Sequence, residues 1–536
     1  MRTRARPADL LLLLGFAFLA HGMLLLNDGI YWDDWLLFPH LQSHDWPAID
    51  ALVHEAGMTP LNAAFLHIFA YAPGGVFSFK LTVFILILCI ASLVYLIALE
   101  AGAGRLAAIG IATLQMAFPG FQDWVLLATA ASVFDFALFL LATFMLVRAE
   151  AAAPRARLAL RVAAIVAFVL SFGFNSLLPL YFGSLLLLLI VSMRSASVRD
   201  LMRSRWLYAA ILILLPVAYF EVSRRVYAPS GLYGGVYAIS TNPAAVITSF
   251  RHFVRNGILE QVQQSVLVLL RPWTWLLTAA FLAILIVARN RIQSAPRPAT
   301  RNALLGIVLG IATLGLGMLP YALVGKSPAV HGWDSRHDLL LGLPLAILIV
   351  SLVAIVLPSG RRALLGFGLV GLVVIGFTGA GIQDYAAIQA RWATDQAVMT
   401  ELASATDDSA YSVYWVHDNA PGPEDFYRFY EWSGMLGHVY GDESRIGLDV
   451  RHYDSSFLEQ GAFFSDRYNL AHLVPHGCEV DMTITRTSGA GSSAQTALMY
   501  TFDRLLQPGR LDSYVRSLVT IQIVPVTSAL ASSCSH

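Results

Sequence analysis

Apolar residues occupy the first 380 positions in long unbroken blocks rather than in the stripes of soluble helices or the alternation of half-buried strands. A block of about 20 apolar residues crosses a bilayer as a helix, and shorter ones serve where a span is broken or re-entrant. Blocks near 10–26, 79–99, 105–119, 124–147, 162–175, 177–193, 206–220, 274–288, 303–324, 338–357 and 363–380 predict eleven transmembrane helices. The first follows Arg2, Arg4 and Arg6 as a secretory signal does, but Asn27-Asp28-Gly29 offers no small-residue cleavage site, so it reads as an anchor. Residues 162–193 are short for two spans and long for one, and a tight hairpin near Gly173-Phe174-Asn175 makes them two.

Beyond residue 380 the pattern changes. The stretch "DDSAYSVYWVHDNAPGPEDFYRFYEWSGM" mixes aromatics, acids and turn formers, and "YVRSLVTIQIVPV" alternates as a strand does. A segment of this length can bury its own core. The predicted fold is an α-helical polytopic membrane protein with a transmembrane part over 1–380 and a soluble α/β unit over 381–536.

Arginine placement orients the spans, because basic loops stay on the cytoplasmic side. The clusters at 2–6, 105, 148–161, 194–205, 289–301 and 361–362 all fall on one face of an eleven-span chain. The segments 27–78, 221–273 and 381–536 then share the outer face. Charged residues are only 13% of the 536 and net charge is zero, which argues against a nucleic-acid partner. No glycine-rich phosphate loop appears, so a cytosolic nucleotide is not the expected direct substrate. Of the three cysteines, Cys478 and Cys534 both lie in the outer unit, where an oxidising compartment permits a disulfide.

Candidate chemistry starts at "GIYWDDWLLFPH", residues 29–40. Asp33 and Asp34 stand side by side between two tryptophans at the membrane edge. One acid suffices to cap a helix, whereas two adjacent carboxylates repel. A pair has the chemistry to bind Mg²⁺ or Mn²⁺, or to set one carboxylate as a base with the other orienting it. A second constellation, "LVGKSPAVHGWDSRHDLLLGLPLA" over 323–346, gathers Lys326, His331, Asp334, Arg336, His337 and Asp338 in one short outer loop. Lys326 is one of two lysines in a chain that otherwise uses arginine. Lysine, arginine and histidine converging at an interface make a phosphate clamp; snorkelling and helix starts are the plainer reading. Asp123, on the same outer face, and His54 and Glu55 are further candidates to line the cleft. Arg224, Arg225, Arg251, His252 and Arg255 read as a solvated or headgroup-facing surface.

An Asp-Asp pair directly after the first span, in a long outer loop, resembles the GT-C superfamily of polytopic glycosyltransferases. The form "YWDDW" looks like the bacterial branch that includes O-antigen-modifying glucosyltransferases and relatives of the aminoarabinose and protein-mannosyl transferases. The juxtamembrane run at 45–70 with Thr59-Pro60-Leu61, the outer loop 221–273 and the outer C-terminal unit agree with it. The likeness covers residues 1 to about 350 in architecture and only Asp33 and Asp34 in motif. It implies an enzyme of the bacterial inner membrane, working at the periplasmic face. Such an enzyme takes a sugar from a polyprenyl-phosphate donor to a glycan, lipid or protein acceptor. One of Asp33 and Asp34, with Asp34 preferred, would be the base, and Lys326, Arg336 and His337 would hold the donor phosphate. A polymerase or ligase of lipid-linked polysaccharide would favour basic residues in a late outer loop over an early Asp pair. A flippase would place charges in mid-span and show an internal repeat.

Overall fold

The computed structural model describes residues 6–526 apart from 194–197, 231–232, 236–237, 294–299, 359, 406–410, 420–426, 460–469, 471–472, 474–477 and 488–489. Arg2, Arg4, Arg194, Arg297 and Cys534 therefore lie outside the described residues.

The chain is mostly helical, with one small sheet near its C-terminus. From the N-terminus run α1 (Pro7–His21), α2 (Asp34–Ser43), α3 (Trp46–Glu55), α4 (Pro60–Ala70), α5 (Val76–Glu100), α6 (Arg105–Ala117) and α7 (Ala130–Ala149). Then come α8 (Pro154–Ser171), α9 (Leu177–Ser192), α10 (Val198–Val226), α11 (Pro243–His252), α12 (Gln261–Leu269), α13 (Thr274–Gln293), α14 (Thr300–Leu323) and α15 (Gly342–Val356). A π-helical turn over Phe253–Glu260 joins α11 to α12. Among the described residues five stretches are long and apolar enough to cross a membrane: Pro7–Leu26, Val76–Glu100, Ala130–Ala149, Thr300–Leu323 and Arg362–Ser404. A sixth is the pair Pro243–Leu269 and Thr274–Val287, bent by 88° at the break between them.

Every expected block is helical, but the count of eleven spans is not reproduced by length. α6, α9 and α15 hold 13, 16 and 15 residues, which at 1.5 Å per residue gives about 20–24 Å against a core of about 30 Å. The span expected over 124–147 begins only at Ala130. Residues 118–127 before it are buried non-helical chain and a short 3₁₀ turn, which a membrane protein tolerates only where protein surrounds the backbone. The turn between α8 and α9 falls at 172–176, around the expected hairpin.

The boundary drawn at 380 lies inside one helix, α16 (Gly360–Ser404), of 45 residues. At about 68 Å it is more than twice as long as a span needs. Its second half forms the spine of the C-terminal unit, which comprises β1 (Tyr411–Asp418), α17 (Phe429–Tyr440), β2 (Ile446–Asp449), α18 (Ser455–Leu458), β3 (Cys478–Arg486), α19 (Ser493–Leu506), α20 (Pro508–Arg516) and β4 (Val519–Pro525). The strand order is β2-β1-β3-β4, with β1 parallel to β2 and β3, and β4 antiparallel to β3. A parallel sheet is stable with both faces covered, and this one has both. Tyr414, Val416, Val480, Met482 and Ile484 share a core with Trp392, Val398 and Leu402 of α16, while Val413, Ile446 and Leu448 pack with Phe429 and Tyr430 on the other side. Cys478 is disulfide-bonded and Cys89 is free.

The C-terminal unit is seated on α2. A Cβ placed on Gly434 of α17 would stand 2.7 Å from Cε3 of Trp35 in α2. Gly434→Val is therefore expected to destabilise the protein by about 1–3 kcal/mol through overpacking. Thermal unfolding in detergent measures it, and an unchanged midpoint would refute so close a seat.

Candidate functional site

The two acids of the opening motif part company in the structure. Asp34 begins α2 with no solvent exposure, and its Oδ1 accepts the Ala128 N–H at 2.9 Å from the buried chain before α7. Burial pushes its pKa up to about 7, against the opposing pull of the Lys80 ammonium and of nearby amides. Lys80 is itself buried, its Nζ donating to the carbonyls of Gly29 and Val125. Lys80 thus ties the strand leading into the Asp pair to the loop that receives Asp34.

Asp33 stands at the N-cap position of α2, yet its side chain caps nothing. Instead Oδ1 accepts from the Tyr430 hydroxyl at 2.6 Å and lies 3.4 Å from the Arg428 guanidinium. The Tyr233 hydroxyl approaches Oδ2 at 3.5 Å. These partners come from the start of α17 and from the segment after α10. The capping role that a lone acid would have is absent.

Backbone strain precedes the pair. Trp32 has φ of +46°, one of two non-glycine residues with positive φ among the described residues. For a bulky side chain this left-handed conformation is an outlier that its surroundings must hold. Glu431 of α17 does so, accepting the Trp32 N–H at 3.1 Å. The same carboxylate pairs with Arg391 of α16 and takes the Arg428 N–H at 2.9 Å. Glu431 is fully buried, and burial raises its pKa while Arg391 opposes the shift. The Arg391 guanidinium also lies 4.7 Å from the Trp32 ring.

The second constellation folds beside Asp33. Its loop closes as a 3₁₀ turn, Trp333–Asp338. The Arg336 guanidinium stacks 4.0 Å from the Trp333 ring, with Arg428 at 6.0 Å from the same ring. The Trp333 and Trp32 rings are 6.3 Å apart. Lys326 is half-buried, and desolvation together with Arg336 and Arg428 lowers its pKa despite Asp334. Three cations in mutual reach, each partly open to solvent, form a site that an anion would relieve.

Other candidates take different positions. Asp123 is fully buried, its Oδ1 accepting from Ser335 Oγ at 3.3 Å, and it lies in electrostatic reach of Arg336 and Asp34. Burial drives its pKa well up. His331 reaches Asp384 at 3.3 Å and Gln122 at 3.0 Å, fastening the loop to α16 and to the chain before α7. His54 is exposed and Glu55 half-buried at the end of α3, and burial raises the Glu55 pKa. The Glu55 carbonyl accepts the Ser230 N–H at 3.0 Å, and neither side chain has a hydrogen bond to Asp33 or Asp34 among the described residues. No group of three acids, histidines or cysteines converges as a metal site among the described residues. Arg391, Arg428, Tyr430 and Glu431 were not anticipated as site residues; the only trace is the dense "YRFYEW" run at 427–432.

His337 faces inward, 2% exposed, with Nδ1–H donating to the Ser327 carbonyl at 3.2 Å and its ring 4.9 Å from Tyr321. Desolvation, then Arg336, holds its pKa well below the ordinary 6.5. A depressed histidine pKa contributes stability that is present above about pH 6.5 and lost as pH falls through the folded-state value. His337→Phe is expected to flatten the acid limb of stability in detergent, and an identical limb in both proteins would refute the assignment. Protein-family models, curated proteins and solved structures were each compared with the chain, and none matches it.

Proposed function

We propose that the chain is an integral-membrane glycosyltransferase that moves a sugar from a polyprenyl-phosphate donor to an acceptor at the outer face of a bacterial inner membrane. The observation that carries this reading is the ion pair of Asp33 with Arg428, whose guanidinium shares the Trp333 ring with Arg336 and lies in electrostatic reach of Lys326. Sugar transfer from such a donor needs a base behind the acceptor hydroxyl and cations at the departing phosphate. An acid and a basic cluster side by side supply both.

In this reading Asp33 is the base, since it borders the basic cluster and retains some exposure while Asp34 has none. The preference for Asp34 expected from its depth in the loop is thus reversed. Asp34 is the anchor that fixes the loop through Ala128 and the Lys80 charge. The acceptor hydroxyl takes the place of Tyr430 on Asp33, gives up its proton and attacks the anomeric carbon. The donor phosphate leaves against Lys326, Arg336 and Arg428, and one displacement inverts that centre. His337, buried and neutral, has no part in the clamp. The Mg²⁺ or Mn²⁺ expected at the pair does not fit this arrangement, because Asp34 is buried against Ala128 while Asp33 turns to Tyr430 and Arg428, and no step here runs through a metal.

Asp33→Asn is expected to lower the transfer rate by about 10²–10⁴ with donor binding intact. Lys326→Ala and Arg428→Gln should each weaken donor binding by about 1.5–3 kcal/mol, the range of hydrogen bonds to charged groups. Single-turnover transfer and donor titration with purified protein separate the two effects. Wild-type transfer by Asp33→Asn would end this reading. The proposed topology has its own check: Ser230→Cys and Ser455→Cys, each exposed, should both react with an impermeant thiol reagent on intact cells in a Cys89→Ala background. Protection of either one contradicts the shared outer face.

A further inference from the structure

A cavity separate from the Asp33 cluster opens among α5, α6, α7, α9, α14 and α15, with a volume of about 160 Å³. Its wall is almost wholly aliphatic, with Val94, Leu140, Leu187, Leu309 and Ile347 among its residues. Three of the hydroxyls along it are already bonded: Thr143 with Ser184 at 2.8 Å, and Thr313 to the Leu309 carbonyl at 2.6 Å. With Ser351 and Asn302 the only other polar side chains on a wall this apolar, a water there would find few partners. Inside a bilayer, hydrocarbon is the solvent that enters.

The depth of the cavity restricts what enters. Its lining runs from Leu180 to Ile190 on α9 and from Asn302 to Thr313 on α14, which is about 15 Å at 1.5 Å per residue. That is half of a hydrocarbon core of about 30 Å, the depth of one leaflet. That depth matches one acyl chain, and the chain of a long polyprenyl carrier exceeds it. At one end the lining reaches Ala103 and Asn302, beside Arg105 and the exposed Arg301 at the arginine-rich end of these helices. Arg148 is at the same end, ion-paired with Glu100, and Arg105 is ion-paired with Asp9.

We propose that this cavity binds one acyl chain of an anionic glycerophospholipid from the leaflet on the arginine-rich side, with the phosphate among Arg105, Arg148 and Arg301. The site is independent of the glycosyltransferase reading and stands or falls without it. The probe is phosphatidylglycerol carrying a diazirine at the chain end, in nanodiscs of phosphatidylcholine holding the full-length protein. Labelling is expected at Leu180, Thr313 and Pro344, deep in the bore, and is expected to be lost in Leu309→Trp, which fills it. Arg301→Gln should reduce labelling about fivefold, the share of one surface arginine in holding an anionic lipid. Thermal unfolding confirms that both variants fold; if Leu309→Trp does not, Arg301→Gln and headgroup competition decide. Three results would each overturn the proposal: label spread over outward residues such as Leu276 and Val287, equal labelling by the phosphatidylcholine analogue, or displacement by polyprenyl phosphate but not by unlabelled phosphatidylglycerol.

Discussion

The buried carboxylate of Glu431 is the interaction on which the rest of the assembly rests. A charge without solvent is costly unless donors surround it. Glu431 gathers three donors from three parts of the chain: the Trp32 amide, the Arg391 guanidinium and the Arg428 amide. It thereby joins the loop after the first apolar helix, the long α16 and the start of α17. Removing any one donor leaves a buried acceptor short of a partner, so the three segments stay in register or separate together. Asp33 inherits its position from this junction, because Trp32 precedes it and Arg428 and Tyr430 flank Glu431.

A division of labour between the two adjacent acids follows from their surroundings. Asp34 is drawn inward to an amide and to the field of Lys80, where burial favours its neutral form. Asp33 is turned toward two phenols, Tyr430 and Tyr233, and the Arg428 guanidinium. Adjacent residues at the start of a helix point different ways, so one motif supplies both an anchor and a group that faces the cluster. The strained backbone at Trp32 contributes to that divergence by turning the chain just before the pair.

Much of this was legible in the sequence, and the limits have physical causes. The apolar blocks marked where helices lie, since continuous hydrophobicity is a local property. They did not give helix lengths, because α6, α9 and α15 stop short of a full bilayer. The break at 380 marked a change of solvent rather than of secondary structure, so α16 runs through it. Asp33 and Asp34 stood out by adjacency, and Lys326 and Arg336 by converging in one loop. Arg428, Tyr430 and Glu431 did not, because their meaning depends on docking across 399 positions of chain from Trp32 to Glu431. His337 looked like a clamp residue by its neighbours, yet the packing of Tyr321 and the Ser327 carbonyl turned it inward.

The left-handed backbone of Trp32 carries a consequence for how the protein is made. Such a conformation costs about 1–3 kcal/mol and persists only while its surroundings hold it. Its restraints, Glu431 and Arg391, leave the ribosome long after residue 32 has reached the membrane, since chains emerge N-terminus first. Until then the loop relaxes and Asp33 has neither Tyr430 nor Arg428 beside it. The nascent chain therefore carries Asp33 without its partners until Arg391, Arg428, Tyr430 and Glu431 are made and fix the turn that precedes it.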